Sequence, residues 1–192
     1  MSTFSRTLRA IALGSALIVV PTVAAAIPAS AAAATCPAVT WGSLPKAGGG
    51  AGAEALTNVR AGRHACFDRV VFDIRGAGAA NFHVEYVDQV FTDGGGFPVP
   101  LAGGAFLEVV VMAPSFDINT GDPTFNPADP NHVVNVTGFR TLRQVASAGS
   151  FEGQSNFGIG VRARLPMRVF ALNGPGDSQR LVVDIAHRWG TF

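Results

Sequence analysis

Two nearly identical stretches, RVVFDI at 69–74 and RLVVDI at 180–185, each place an aspartate four residues after an arginine. Their carboxylates, Asp73 and Asp184, would suit acid–base chemistry if they faced each other with one protonated and one ionised. The alternation favours another interpretation, because apolar residues of one parity would enter a core while Arg and Asp share the opposite face. We therefore predict that the two aspartates are cross-strand partners of arginines and not a reacting pair.

The other patterns that could carry catalysis are incomplete. His83 and Glu85 share one face of a strand, as two zinc ligands would, but no third ligand lies nearby in the sequence. Ser155 in GQSNFG lacks the G-x-S-x-G spacing of a nucleophile elbow. Cys66, close to His64, would be a nucleophile only as a free thiol. We predict no catalytic residue, no metal site, no cofactor and no enzymatic activity.

One polar loop offers oxygen atoms that could bind calcium. The segment 114–131 contains four prolines and several Asp and Asn residues. Its spacing departs from the D-x-[DN]-x-[DN]-G pattern of a calcium loop, and Asp and Asn are ordinary turn residues. We predict a long surface loop without an ion.

A basic face is the candidate binding site. Arg162 and Arg164 alternate with apolar residues, which would place them on one face of a strand, and Arg168 follows. Arg140 and Arg143 lie on a neighbouring segment. Guanidinium groups pair bidentately with carboxylates and phosphates, so this face could hold an anionic polymer. The alternative is a solvated face whose arginines pair with Asp and Glu.

The first residues have the pattern of an export signal. Arg6 and Arg9 precede an apolar run over 10–20, which is shorter than the roughly 20 residues of a membrane helix. Small residues suited to cleavage then crowd the end of this segment, so residues 1–34 are predicted to be a signal peptide. Two alternatives stay open, an uncleaved anchor and lipidation of Cys36. With cleavage, we expect a secreted or envelope protein without a membrane span.

The charge balance limits the class of partner, and export determines the expected state of the two cysteines. The chain has 14 basic and 13 acidic residues; without Arg6 and Arg9 the balance is 12 against 13, a net charge of −1. Such a balance gives no general attraction to nucleic acid. In an oxidising compartment, Cys36 and Cys66 are expected to form a disulfide. Two free thiols or metal ligands are the alternative.

The elements that must position these groups are strands. Residues 35–53 form a Pro-, Gly- and Ala-rich arm in which Trp41 and Leu44 are the large anchors. Residues 54–190 contain short β-rich runs separated by turn residues, which predicts an all-β sandwich. Trp189 continues the core parity of the last run, so we expect it to be buried. The β-rich runs lie within 65–74, 82–91, 106–113, 132–149, 157–172 and 180–189.

The C-terminal run resembles the AMIN domain. GVRARLPMRVFALNGPGDSQRLVVDIAH, at 160–187, contains a strand, then RVF with a leucine, a proline and RLVVDI. The segments at 40–46, 62–74 and 149–166 resemble the AMIN-like group of exported actinobacterial proteins. The resemblance covers most of 36–190 and implies a β-sandwich.

In cell-wall amidases and secretins, AMIN domains bind peptidoglycan and place the protein in the envelope. The resemblance thus implies a non-enzymatic module that binds peptidoglycan, an associated anionic polymer or an envelope protein. A secreted structural or protein-interaction domain without wall affinity is the alternative, and a hydrolase ranks last. The resemblance supplies no residue as a ligand contact.

Overall fold

The computed structural model describes residues 36–190, which form nine strands and no helix. The predicted signal peptide lies outside this range. The strands are β1 Lys46–Gly48, β2 Ala55–Arg63, β3 Phe67–Arg75, β4 Phe82–Val87, β5 Ala105–Val111, β6 Leu142–Phe151, β7 Gln154–Val161, β8 Met167–Asn173 and β9 Ser178–Ala186.

These strands form two antiparallel sheets, which confirms the predicted β-sandwich. One sheet has the order β1-β4-β5-β7-β6 and the other has the order β2-β3-β9-β8. Both sheets contribute to one hydrophobic core, because alternate side chains of each strand point inward. Its largest fully buried members include Leu56, Phe72, Ile74, Leu107, Phe157, Ile159, Leu181 and Ile185.

The two repeated stretches are neighbours at the centre of the four-stranded sheet. β3 and β9 pair antiparallel, and the register sets Arg69 opposite Asp184 and Asp73 opposite Arg180. The intervening residues of the other parity point into the core, as the alternation predicts. They are Val70, Phe72, Ile74, Leu181, Val183 and Ile185, none more than 1% exposed.

A long connection covers the outer face of the five-stranded sheet. After β4 the chain crosses this face over 88–104, where Val90 and Val99 pack against alanines of β6. A Cβ at Gly160 would overlap the carbonyl oxygen of Ala102. The glycine in β7 therefore permits the backbone of the connection to lie directly on the sheet.

The N-terminal arm is part of the sandwich. β1, within the predicted arm, pairs with β4 and extends the five-stranded sheet. The predicted Cys36–Cys66 disulfide is present and ties the start of the arm to the residue before β3. The prediction for Leu44 is wrong, since it is 71% exposed, whereas Trp41 is half-buried.

Several predicted boundaries differ from the structure. The run at 82–91 is a strand only to Val87, and the run at 132–149 becomes a strand only at Leu142. The loop between β5 and β6 therefore spans 112–141. Trp189 is 49% exposed, contrary to the prediction. Since β9 ends at Ala186, its alternation does not continue to Trp189.

Candidate functional site

Asp73 and Asp184 do not form an acid–base pair. Asp184 on β9 lies opposite Arg69 on β3, and Arg69 is four residues before Asp73 on that strand. At roughly 3.3 Å per residue, the two aspartates are about 13 Å apart along the strands. Asp73 instead accepts a bidentate pair of hydrogen bonds from Arg60 of β2, at 2.8 and 3.0 Å. Both aspartates are thus arginine partners, as the alternation predicts.

Asp184 is fully buried although it faces away from the core. Arg69 binds its two oxygens at 2.6 and 2.9 Å, and Arg168 binds from β8 at 2.8 Å. Hydrogen bonding to Asp184 raises the pKa of Arg69. The outward face of the sheet is therefore not an open row of charges here, because the two arginines cover the carboxylate.

Aromatic rings pack against these two arginines. The Arg168 guanidinium carbon lies 4.3 Å from the ring centroid of Trp41, and Arg69 lies 5.2 Å from that of Phe67. Phe170 lies within 6 Å of both guanidinium groups. Cation–π contact of this kind stabilises a cation most when water is excluded. Arg168 thereby joins the arm to the sheet, which makes it a structural group.

The arginines of the described chain divide into two sets. Four of them form ion pairs with carboxylates: Arg60, Arg69, Arg75 and Arg168. The other seven have no carboxylate within 4.0 Å among residues 36–190, and six of these are exposed. Those six lie together where one set of strand ends meets, and we name this region the arginine end. It consists of Arg63, Arg140, Arg143, Arg162, Arg164 and Arg188.

Hydrogen bonds between segments define the arginine end. The N–H of Arg162, just after β7, donates to the carbonyl of Thr141, just before β6, at 2.9 Å. The Arg162 guanidinium donates to the carbonyl of His187, just after β9, at 2.6 Å. The ends of three strands are therefore held together at this corner.

The structure separates the five predicted ligand-binding arginines. Arg140, Arg143, Arg162 and Arg164 lie at the arginine end, whereas Arg168 is bound to Asp184. The predicted strand position of Arg162 and Arg164 is wrong. β7 ends at residue 161, and the bend over 162–166 leads the chain from one sheet to the other. Arg164 there donates to Ser43 and stacks on Tyr86. Arg63, which was not predicted, joins them from the end of β2.

A buried carboxylate holds the backbone of the arginine end. Asp68 is 1% exposed and accepts hydrogen bonds from the N–H groups of Thr141 at 2.6 Å and Leu142 at 3.1 Å. Its other oxygen lies 3.0 Å from Nε2 of His187. A buried carboxylate needs such partners to offset its desolvation. Sequence reasoning missed both residues, because each belongs to a strand end and neither matches a motif.

The other side chains considered as catalytic or metal-binding residues make contacts within the fold. His83 and Glu85 lie 3.2 Å apart on one face of β4, and Glu108 lies opposite Glu85 on β5. Burial and the charge of Glu85 raise the pKa of Glu108. Ser155 is buried and donates to the carbonyl of Ala113 at 2.7 Å. Within residues 36–190, no group of three or more His, Cys, Asp or Glu side chains is arranged to hold a metal ion.

The carboxylates of the polar loop accept hydrogen bonds that stabilise its turns. Asp117 accepts the N–H of Asn119 at 2.9 Å and pairs with Arg75 at 3.0 Å. These contacts, the N–H of Asn119 first, hold the pKa of Asp117 below its ordinary value. Asp129 accepts the N–H of Asn131 in the same way. The prediction of a turn-rich surface loop is confirmed.

A comparison with protein families matched the AMIN-like domain over residues 54–187. The chain belongs to the AMIN-like domain family. The match runs from β2 to β9 and contains both repeated stretches and all five predicted arginines. Comparisons with curated proteins and with solved structures found no match. The more specific actinobacterial grouping stays a prediction.

AMIN-like domains occur in envelope-associated proteins and are generally non-catalytic modules. The disulfide of this AMIN-like chain fits an extracellular location. No helix among the described residues is long and apolar enough to cross a membrane.

Proposed function

We propose that this AMIN-like domain is an exported, non-enzymatic module that binds an anionic component of the cell wall, peptidoglycan or a polymer attached to it. The observation that carries the proposal is that six exposed arginines without a carboxylate partner lie at one end of the sandwich. The net charge of the chain does not predict this local excess of positive charge, since the whole chain is close to neutral.

The contrast between the two sets of arginines supports this location. An arginine already bound to a carboxylate has much of its charge and several donors occupied, as Arg69 and Arg168 do at Asp184. Exposed guanidinium groups without a carboxylate partner keep their full positive charge, and they pair well with carboxylate and phosphate. Arg162 and Arg164 use part of their donors for neutral oxygens of the chain, which leaves that charge uncompensated. Arg140 is exposed, and its guanidinium makes no hydrogen bond or ion pair within the described chain.

Co-sedimentation with purified peptidoglycan sacculi tests the proposal. The mature domain should sediment at low ionic strength and be released by salt, because screening weakens contacts between exposed charges. The double variant R140Q/R162Q should sediment at least about tenfold less tightly, since hydrogen bonds to charged groups contribute roughly 1.5–3 kcal/mol each.

The variant R60Q/R75Q provides a charge-matched control. It removes the same two positive charges, but from arginines that already pair with carboxylates. Its binding should stay close to that of the wild type. Equal weakening by both double variants would show that net charge matters and not the arginine end. A wild-type domain that stays in the supernatant at low salt would overturn wall binding and leave a partner protein as the alternative.

A further inference from the structure

A pocket lies beside the arginine end, between residue 132 and the first residues of β6. Its volume is about 560 Å³, within the range of roughly 300–1,000 Å³ that is common for small-ligand sites. It is open to solvent on one side and combines apolar and polar walls. Its lining includes His132, Val134, Val136, Phe139, Leu142 and Arg143.

Hydrogen bonds from two side chains hold the loop that shapes this pocket. Asp68, from the other sheet, accepts the N–H groups of Thr141 and Leu142. Arg143 donates to the carbonyl of Leu142 at 2.9 Å and to those of the two residues before Thr141. Gly138 has φ +78°, in the left-handed region that other residues rarely adopt. A loop held in this way loses little conformational entropy when a ligand binds.

Two cations border the same loop without a carboxylate partner. The guanidinium carbon of Arg63 lies 5.9 Å from the ring centroid of Phe139. Its Nη1 would be 3.4 Å from a Cβ at Gly138, so the side chain reaches across from β2 to the loop. Arg140 follows Phe139 directly and is exposed. Arg63 therefore contacts Phe139 of the apolar pocket wall, and Arg140 is the next residue in the chain, whereas the arginine that lines the pocket itself is Arg143.

We propose that this pocket binds a carboxylate or phosphate group of a small wall constituent. Arg63 and Arg140 would bind the anion, and the attached apolar or sugar part would lie against Val134, Val136 and Phe139. Asp68 is a positioning residue, because it is buried and holds the loop through two backbone N–H groups. Arg143 lines the pocket and also holds the loop through its hydrogen bonds to backbone carbonyls. The inference rests on the proposed function in one respect: that function supplies the wall polymer as the source of the anion.

Titration of the mature domain, followed by backbone amide chemical shifts, tests the inference with three probes. Inorganic phosphate represents the phosphate source, N-acetylmuramic acid represents a sugar carboxylate, and N-acetylglucosamine is the neutral comparison. At least one anionic probe should give saturable shifts centred on residues 132–143, and the neutral sugar should need much higher concentrations. The probe that binds more tightly identifies the source of the anion.

The variant R63Q separates this site from general electrostatics. It should raise the dissociation constant of the anionic probe about tenfold, because one charge-assisted contact is lost. The matched variant R60Q, three residues earlier on β2 and paired with Asp73, should leave it nearly unchanged. Since Arg63 is exposed, R63Q should keep the amide spectrum of the folded domain outside the loop.

The outcomes distinguish this inference from the proposed function. No saturable shift within 132–143 for either anion, or equal weakening by R63Q and R60Q, would overturn the pocket even if the domain still sediments with sacculi. Saturable binding that R63Q weakens would support the pocket even if sedimentation fails, and in that case only the proposed wall attachment would be lost.

Discussion

Arg69 and Asp184 are direct partners across β3 and β9, with the guanidinium Nε 2.6 Å from the carboxylate Oδ1. Arg168 shares the same carboxylate from β8. One buried negative charge thus links three adjacent strands, and the rings of Trp41, Phe67 and Phe170 shield its two partners. This arrangement stabilises the sheet, and the proposed binding site consists of other arginines.

Replacing this carboxylate should destabilise the domain. We expect D184N to lower the free energy of unfolding by about 2–4 kcal/mol, because two cations lose a buried partner although both remain partly hydrated. D73N, at the more exposed pair with Arg60, should cost no more than about 1 kcal/mol. Urea denaturation of both variants measures the difference. Equal losses would contradict the structural role of Asp184.

Removing the disulfide should loosen the arm. Cys36 and Cys66 are 30 positions apart, and closing a loop of this length corresponds to about 3–4 kcal/mol on the chain-entropy model. We expect the double serine variant to lose a comparable amount of stability in denaturant titrations. Its amide shifts should change near Trp41 and remain close to wild type in β5. A stability equal to that of the oxidised wild type would refute this expectation.

Two glycines of β7 should differ in their tolerance of alanine. At Gly160 a methyl group would overlap the backbone oxygen of Ala102, which can move only with the whole connection. At Gly158 it would meet the Cδ1 of Leu101 at 2.7 Å, the far end of a flexible side chain. We expect G160A to cost about 2–3 kcal/mol and G158A about 1 kcal/mol. Thermal unfolding gives the ranking, and a reversed order would argue against the close packing of 88–104.

Glu108 should make stability depend on pH. Burial and the charge of Glu85 raise its pKa in the folded state above the ordinary value near 4.5. The folded state then binds more protons than the unfolded state between these two pKa values. Stability contributed by this group is therefore complete below the unfolded pKa and is lost as pH rises through the folded pKa.

The variant E108Q isolates that effect. It should be more stable than the wild type at pH 7, and the difference should shrink towards zero below about pH 4, where Glu108 is protonated in both states. Denaturant midpoints between about pH 3 and about pH 7 measure it. A difference that grows on acidification would mean that the pKa of Glu108 is lowered in the folded state and not raised.

The fold could be predicted because period-2 alternation is a local signal. Val70, Phe72 and Ile74 identify β3 and its core face without knowledge of any partner strand. β2, in contrast, was not identified as a separate strand, since its sequence ALTNVRAGR alternates poorly and a bulge lies between Leu56 and Asn58. Strand ends were also misplaced, because the loops at 88–104 and 132–141 are held by tertiary contacts that no local pattern encodes.

The candidate site could be predicted only in part. Residue type and spacing suggested five arginines, but the difference between Arg168 and the other four depends on the partner Asp184, which only the register reveals. Arg63 is not predictable as a site residue, because it contacts Phe139, which is distant in the sequence and comes near only in the folded domain. Exposure and charge pairing are properties of the assembled sheets. The sequence therefore indicates which arginines exist, but not which of them lie together on the surface.

The repeated motif also bears on how the chain selects its strand pairing during folding. In the antiparallel arrangement, two copies of one motif bring unlike charges together, Arg69 to Asp184 and Arg180 towards Asp73. A parallel, in-register pairing would oppose Arg to Arg and Asp to Asp, and a slip of four residues would oppose like charges as well. A slip by an odd number would also turn the core residues outward. The repeated motif therefore disfavours the parallel pairing and the four-residue slips by charge repulsion, and it favours the antiparallel register that the two strands adopt.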